Sequence, residues 1–280
     1  MANFLTRLMP AKYRKDAPVV PVVRLAGTIV AGTSPLRQQL NLASVAGMLE
    51  KAFAMKAAPA VAIVVNSPGG SPVQSRLIYQ RIRDLAVEKG KTVHVFVEDA
   101  AASGGYMIAC AGDDITADPS SIVGSIGVVS SGFGFVEALG KLGVERRLYT
   151  AGSNKAVLDP FSPEKAEDVE RLKELQLDIH GVFIDLVKKA RGARLSDHDE
   201  LFTGAFWTGG RALELGLVDA IGDLRGSLRQ RYGDKVTMKL MSSKRGLFGR
   251  GSLFGIGEQM VEAAMAQMDE RALWSRIGLR

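Results

Sequence analysis

Two strand-length runs restrict this chain more than any other feature. Val61–Val65 is apolar at every position, and Thr92–Val97 is rich in β-formers. A run without polar alternation reads as a strand buried on both faces. Earlier β-rich stretches occupy Val19–Leu25 and Thr28–Val30. Helix-forming stretches cover Leu36–Ala57, with apolar residues at 42, 45, 49 and 53 on one face, and Val73–Lys89. Strand and helix therefore alternate across short loops, the pattern of an α/β chain with a mainly parallel sheet and crossover helices. In such sheets ligands gather at the loops beyond the carboxyl ends of the strands. Two glycine-rich turns, 67–71 and 102–105, fall at such ends.

The second of these turns holds a single serine, Ser103, within Glu98-Asp-Ala-Ala-Ala-Ser-Gly-Gly-Tyr106. A serine between a strand end and a helix start lies where backbone N–H groups are unpaired, a place to hold an oxyanion. The same small residues also suit a tight packing turn. Convergence of two glycine loops on one rim favours the functional reading.

Further along, Asp113–Ala117, Ile122–Val129 and Arg147–Thr150 read as short strands. Ser162-Pro163 has the form of a helix start, with Ser as N-cap and Pro at the first position. Apolar residues at 169, 172, 175, 179, 182, 183 and 186 carry that helix to about Arg191. Phe202–Gly210 reads as a loop or short strand and Arg211–Leu217 as a helix. Residues 241–257 have linker composition, and 257–274 suit an amphipathic helix.

The net charge of +6 is uneven. Residues 1–24 hold five Lys/Arg against one acid, and 225–280 hold eleven against five. The body between is acidic, with twenty basic and twenty-four acidic residues. Two basic ends around an acidic body argue against nucleic-acid binding. The basic, partly apolar start (Phe4, Leu5, Leu8, Met9 with Arg7, Lys12, Arg14, Lys15) suits an anionic membrane surface or an exposed tail. One cysteine, Cys110, excludes an internal disulfide and reads as a core thiol. No signal peptide or membrane anchor is visible. The longest uncharged run, Pro119–Val136, contains five serines, four glycines and a proline. The expected location is the cytoplasm or the periphery of the inner membrane.

A serine nucleophile needs a base. His94 alternates within a strand, His180 lies in the long helix, and His198 sits in a polar segment that reads as a helix start. No histidine spacing supports a triad. Lysine is the alternative, provided desolvation or a nearby positive charge holds it neutral. Lys155 differs from most of the lysines in following a glycine turn and preceding Ala-Val-Leu and Asp159-Pro-Phe, although a lone lysine in such a setting is more often a surface residue.

Five motifs occur in order: Asn66-Ser-Pro-Gly-Gly70, Ala101-Ala-Ser-Gly-Gly-Tyr106, Gly124-Ser-Ile-Gly-Val128, Gly152-Ser-Asn-Lys-Ala156 with Asp159-Pro-Phe161, and Trp207-Thr-Gly209 through Gly216-Leu-Val-Asp219. Over residues 19–224 the chain resembles the signal peptide peptidase A (protease IV) family, peptidase family S49, in its short single-unit form. The resemblance implies a ClpP/crotonase-like spiral of ββα units. It also implies a Ser/Lys dyad, with Ser103 as nucleophile and Lys155 as general base. Backbone N–H groups of Gly69 or Gly70 and of Gly104 would form the oxyanion hole. It implies no cofactor and no metal, peptide substrates (short hydrophobic or unfolded, such as signal-peptide remnants), and a ring or dome of copies in which Lys155 can serve a neighbour's Ser103.

The expected layout is a basic arm over 1–17, a peptidase domain over 18–240, and a basic linker with a C-terminal helix over 241–280. Two other readings stay open: a crotonase-type acyl-CoA thioester enzyme, which needs paired N–H groups but no nucleophile, and a non-catalytic membrane-associated scaffold.

Overall fold

The computed structural model describes residues 17–32, 39–152, 154–242 and 271–279. In chain order the elements are β1 (Val19–Ala26), α1 (Leu42–Phe53), β2 (Ala60–Ser67), α2 (Pro72–Lys89), β3 (Thr92–Ala102), α3 (Gly104–Ala109), β4 (Asp114–Ala117) and β5 (Ile122–Gly124). After them come α4 (Val136–Lys141), α5 (Ala166–Arg191), β6 (Phe206–Thr208), α6 (Gly209–Glu214), β7 (Ala220–Ile221), α7 (Leu224–Tyr232) and β8 (Thr237–Leu240). Residues 271–276 are again helical.

The strands form one sheet in the order β6-β5-β3-β2-β1-β8, with β4 pairing to β3 and to β7. Every pairing is parallel except β5 with β6. The unbroken apolar run of β2 has a direct cause. Val61, Ile63 and Val65 join a core with Leu49, Phe53, Ile78 and Ile82 of α1 and α2. Ala62 and Val64 face the other way, toward Phe96 and Leu228 of α7.

Helix ends follow the side chains available to cap them. The helix expected from Leu36 starts at Leu42, because Asn41 and Ser44 close a reciprocal capping box there. Ser71 caps α2 with Pro72 at its first position, and Gly90 ends it at φ 60°. The helix expected at Ser162-Pro163 starts later, at Ala166. The Ser162 hydroxyl donates instead to Asp159 Oδ2 at 2.6 Å. Nor do 147–150 form a strand; residues 129–152 are exposed almost throughout and offer no strand to pair with.

One irregularity shapes the sheet where the two glycine turns meet. Val65 pairs with Val97, but Ser67 pairs with Ala101, so β3 carries extra residues against β2. Asn66 stitches this bulge, its Nδ2 donating to Asp99 Oδ2 at 2.6 Å while its Oδ1 accepts the Ala100 amide at 3.2 Å. The first half of β3 pairs with β4 and the second half with β5.

The Gly216–Asp219 motif is a clamp. Arg191, 2% exposed at the end of α5, donates to Gly216 O at 2.9 Å and forks onto both carboxylate oxygens of Asp219 at 2.8 Å. Asp219 also accepts the Ile115 amide of β4 at 2.7 Å. Burial alone would raise the Asp219 carboxyl; the Arg191 hydrogen bonds and charge, the Ile115 amide and Arg194 outweigh it and hold it below the usual carboxylate range.

Only the second half of α5 is buried, through Phe183, Leu186, Val187 and Arg191. Of the stripe expected along it, Leu175, Ile179 and Val182 are exposed. The expected linker and C-terminal helix lie mostly outside the described residues, as does the basic N-terminal arm up to residue 16. At the C-terminus, Trp274, Ile277 and Leu279 pack on Ala100, Ala102 and Ile122. Among the described residues no helix is long and apolar enough to cross a membrane.

Candidate active site

Ser103 stands between β3 and α3 with φ 52° and ψ −121°. A residue with a β-carbon is strained there by about 1–3 kcal/mol, and such strain concentrates at functional sites. Among the described residues, three non-glycines have positive φ: Ser103, Ser125 and Leu158. Ser125 lies beside Ser103, and Leu158 lies three residues beyond Lys155.

Close backbone packing holds the serine turn in this conformation. The Ser103 amide donates to Gly124 O at 2.8 Å, and Ser103 O accepts the Met107 amide at 3.1 Å. Behind it, α3 runs into the core, with Tyr106 fully buried and its hydroxyl donating to Leu217 O at 2.8 Å. Burial pushes the Tyr106 hydroxyl well above its ordinary value and the Cys110 thiol up to about 12, so Cys110 is the core thiol its sequence context suggested.

The 67–71 turn closes on Ser103 from the end of β2. The Gly69 amide donates to Ser67 Oγ at 3.2 Å, so it is already engaged. The Gly70 amide donates to no acceptor among the described residues, while Gly69 O and Ser71 N bracket it by bonding Ile29 at 2.8 Å. Gly104, as the first residue of α3, has no carbonyl one turn back to donate to. Of the two glycines the sequence offered as donors on this turn, Gly70 has the free amide.

Ser103 opens into a cleft of about 630 Å3 lined by Gly70, Ser71, Ser125, Val128 and His180, with Leu273, Arg276 and Ile277 on the C-terminal side. Lys155 does not line it. It is exposed in a turn at 154–158, on an arm whose described residues are 129–152 and 154–161. The arm is tied to itself. Phe135 donates its amide to Pro160 O at 2.7 Å, its ring lies 5.5 Å from that of Phe161, and Asp159 accepts from Ser162 and Arg146. The same arm exposes Phe133 (83%), Leu142, Leu148 and Tyr149 (88%). The structure thus joins Ser103, Gly70 and Gly104 at one place and holds Lys155 apart from them within the single chain.

His180 is the cleft residue that sequence reasoning missed. Its Nε2 lies 3.0 Å from Ile126 O. The signal was its helical phase: His180 falls one turn before Phe183 and two before Val187, on the buried side of α5. The other two histidines have structural roles. His94, 4% exposed in β3, lies 2.7 Å from both Asp114 and the Tyr232 hydroxyl. His198 caps the 3-10 turn at Asp199–Phe202, accepting the Glu200 amide. Among the described residues no three His, Cys, Asp or Glu cluster as metal ligands would.

Comparison with known proteins bears on the family and on the fold. The sequence profile of peptidase family S49 matches residues 86–232, which span the Ser103 turn, the arm and the Asp219 clamp. A protein of Brucella abortus (strain 2308) named Na(+)/H(+) antiporter NhaA is 60% identical over 291 residues, covering 100% of this chain and 39% of that protein. Protease 4 of Haemophilus influenzae is 34% identical over 223 residues, 79% of this chain and 35% of its own length. A putative protease of Synechocystis is 33% identical over 200 residues, covering 71% of this chain and 68% of that protein. The chain therefore spans well under half the length of the first two. Among solved structures, a membrane-bound stomatin-specific protease superposes with a TM-score of 0.51 at 17% identity, over 81% of this chain and 99% of that one. The superposition supports the ClpP-like α/β architecture that the ordered motifs implied. A serine at a strained strand–helix turn, an unengaged glycine amide lining the same cleft and a profile that spans the surrounding motifs lead to one assignment: the chain belongs to peptidase family S49.

Proposed function

We propose that the protein is an endopeptidase whose Ser103/Lys155 dyad is assembled between neighbouring copies. The observation that carries this reading is the separation just described. The cleft holds a strained serine and an unengaged amide, while the candidate base stands exposed on an apolar arm of the same chain. Docking that arm on a second copy would bury its aromatic side chains and take water away from the Lys155 amine. Water removal is what a neutral, basic lysine requires.

In the proposed reaction, Ser103 Oγ attacks the carbonyl carbon of a peptide as Lys155 Nζ of the adjacent copy takes the hydroxyl proton. The tetrahedral oxyanion accepts hydrogen bonds from the Gly70 and Gly104 amides, each such donor being worth about 3–4 kcal/mol in the transition state. Collapse breaks the C–N bond, Lys155 returns the proton to the departing amine, and a serine ester remains. Water, deprotonated by Lys155, then hydrolyses the ester. The apolar cleft wall of Val128, Val129, Leu273 and Ile277 suits short hydrophobic or unfolded peptides.

Subunit mixing tests the dyad. Ser103→Ala and Lys155→Ala chains should each lose peptide cleavage, and a mixture allowed to exchange subunits should regain part of it. Full cleavage by both single variants would sink the assignment. A chain that binds acyl-CoA and is indifferent to Ser103→Ala would instead be a thioester enzyme.

A membrane-side location is favoured by one further observation. The Brucella proteins that contain a stretch 60% identical to this chain are named as Na(+)/H(+) antiporters. We infer that this peptidase works beside membrane proteins. Membrane flotation of the full chain checks this, and recovery only in the soluble fraction would count against it.

A further inference from the structure

His180 and Ser103 line the same cleft, and the segment between them is fastened by both. The Ser103 amide donates to Gly124 O at 2.8 Å, and His180 Nε2 lies 3.0 Å from Ile126 O. A carbonyl only accepts, so Nε2 carries the hydrogen and, in the neutral ring, Nδ1 carries the lone pair. Among the described residues Nδ1 makes no hydrogen bond. On its other side the same segment is pinned by the Ser125 amide, which donates to Ala205 O at 2.7 Å. Close approach also fixes it, since a β-carbon on Gly127 would stand 2.9 Å from the Gly204 Cα. Ser125 is held at φ 52° between these contacts. Ser125, Gly127, Val128 and Val129 then form one wall of the cleft.

We infer that His180 is a substrate-positioning residue. It fixes the Ile126 carbonyl, and with it the wall along which a peptide lies beside Ser103. Its Nδ1 is an acceptor available to one amide N–H of that peptide. An extended peptide supplies such donors at every residue except proline, which makes it the ligand class this wall fits best. The inference rests on the peptidase reading for its kinetic consequence, whereas its effect on binding does not require turnover.

Both consequences can be measured in the full-length chain with His180→Leu and His180→Gln. Glutamine keeps an N–H donor and an acceptor oxygen on a side chain of similar reach. Loss of one positioning hydrogen bond corresponds to roughly a five- to tenfold change. His180→Leu should raise KM by about that factor with kcat within about twofold, and His180→Gln should restore most of it. The same substitutions made in the Ser103→Ala chain should weaken binding of a fluorescein-labelled alternating alanine–leucine peptide in the same order. Unchanged KM and peptide affinity in His180→Leu would overturn the inference. A lowered Tm with unchanged affinity would overturn it too, leaving His180 a purely structural residue. If the wild-type chain cleaves nothing and labels at no serine, yet peptide affinity still depends on residue 180, the peptidase reading falls and this one stands.

Discussion

A β-carbon placed on Gly69 would stand 2.7 Å from the Ser103 Cβ and 2.9 Å from the Gly104 amide nitrogen. Gly69 also has φ 106°, a conformation few side chains adopt. Alanine at 69 must therefore push the serine turn away from the Gly70 amide. A displacement of about 1 Å at a reacting atom costs about a hundredfold in rate. Gly69→Ala should lose activity on that scale while still folding, as read by peptide hydrolysis beside a thermal melt. Near-normal turnover would mean that the two turns need not touch.

Lys155→Arg separates charge from basicity. Arginine keeps the positive charge but gives up no proton at any pH a folded protein survives. General-base catalysis contributes about 10²- to 10⁴-fold, so activity should fall by at least a hundredfold, as completely as in Lys155→Ala. An active arginine variant would show that position 155 supplies charge alone.

The exposed arm should be an assembly element. Phe133→Asp combined with Tyr149→Asp places charge on two of its most exposed aromatic positions. Sedimentation should show these chains as smaller species than wild type, with peptide cleavage lost and the circular dichroism spectrum kept. Unaltered mass together with unaltered activity would rule the arm out.

The Arg191–Asp219 clamp predicts an acid limb. The Asp219 carboxyl is held below its unfolded value of about 3.9. It therefore contributes stability that is fully present above about pH 4 and is lost as pH falls through the folded value. Asp219→Asn should flatten that limb and lower stability at neutral pH. Arg191→Met leaves Asp219 with the Ile115 amide and the more exposed Arg194 and removes the donor to Gly216 O, and should cost about 1–3 kcal/mol in urea unfolding. Parallel pH–stability curves for wild type and Asp219→Asn would refute the clamp.

Much of the fold was legible because β2 is apolar on both faces from Val61 to Val65, and only a covered parallel sheet accepts such a strand. The place of Ser103 at the sheet's carboxyl edge was legible because small residues between a β-rich run and an apolar helix start mark a tight strand–helix turn. The start of α5 was misread: Ser162 has the right identity for a cap, but Asp159 lies nearby in sequence and takes its hydroxyl. The stripe at 175, 179 and 182 has helical spacing yet faces solvent, since periodicity reports that a face is apolar and not which molecule covers it. His180 was passed over because its partner, the Ile126 carbonyl, is a backbone group that no side-chain motif records.

Among the described residues the sheet pairs the first strand with the last: Val19–Val22 of β1 lie beside Thr237–Leu240 of β8. Strand β5, whose Gly124 carbonyl holds the Ser103 amide, is paired in turn with Phe206–Thr208 of β6. During synthesis, then, Ser103 leaves the ribosome long before the strands that fix its surroundings. A partly made chain carries Ser103 without the contacts that shape its turn. That geometry is completed only once β6, which begins at Phe206, has been made, and the fold itself sets the delay.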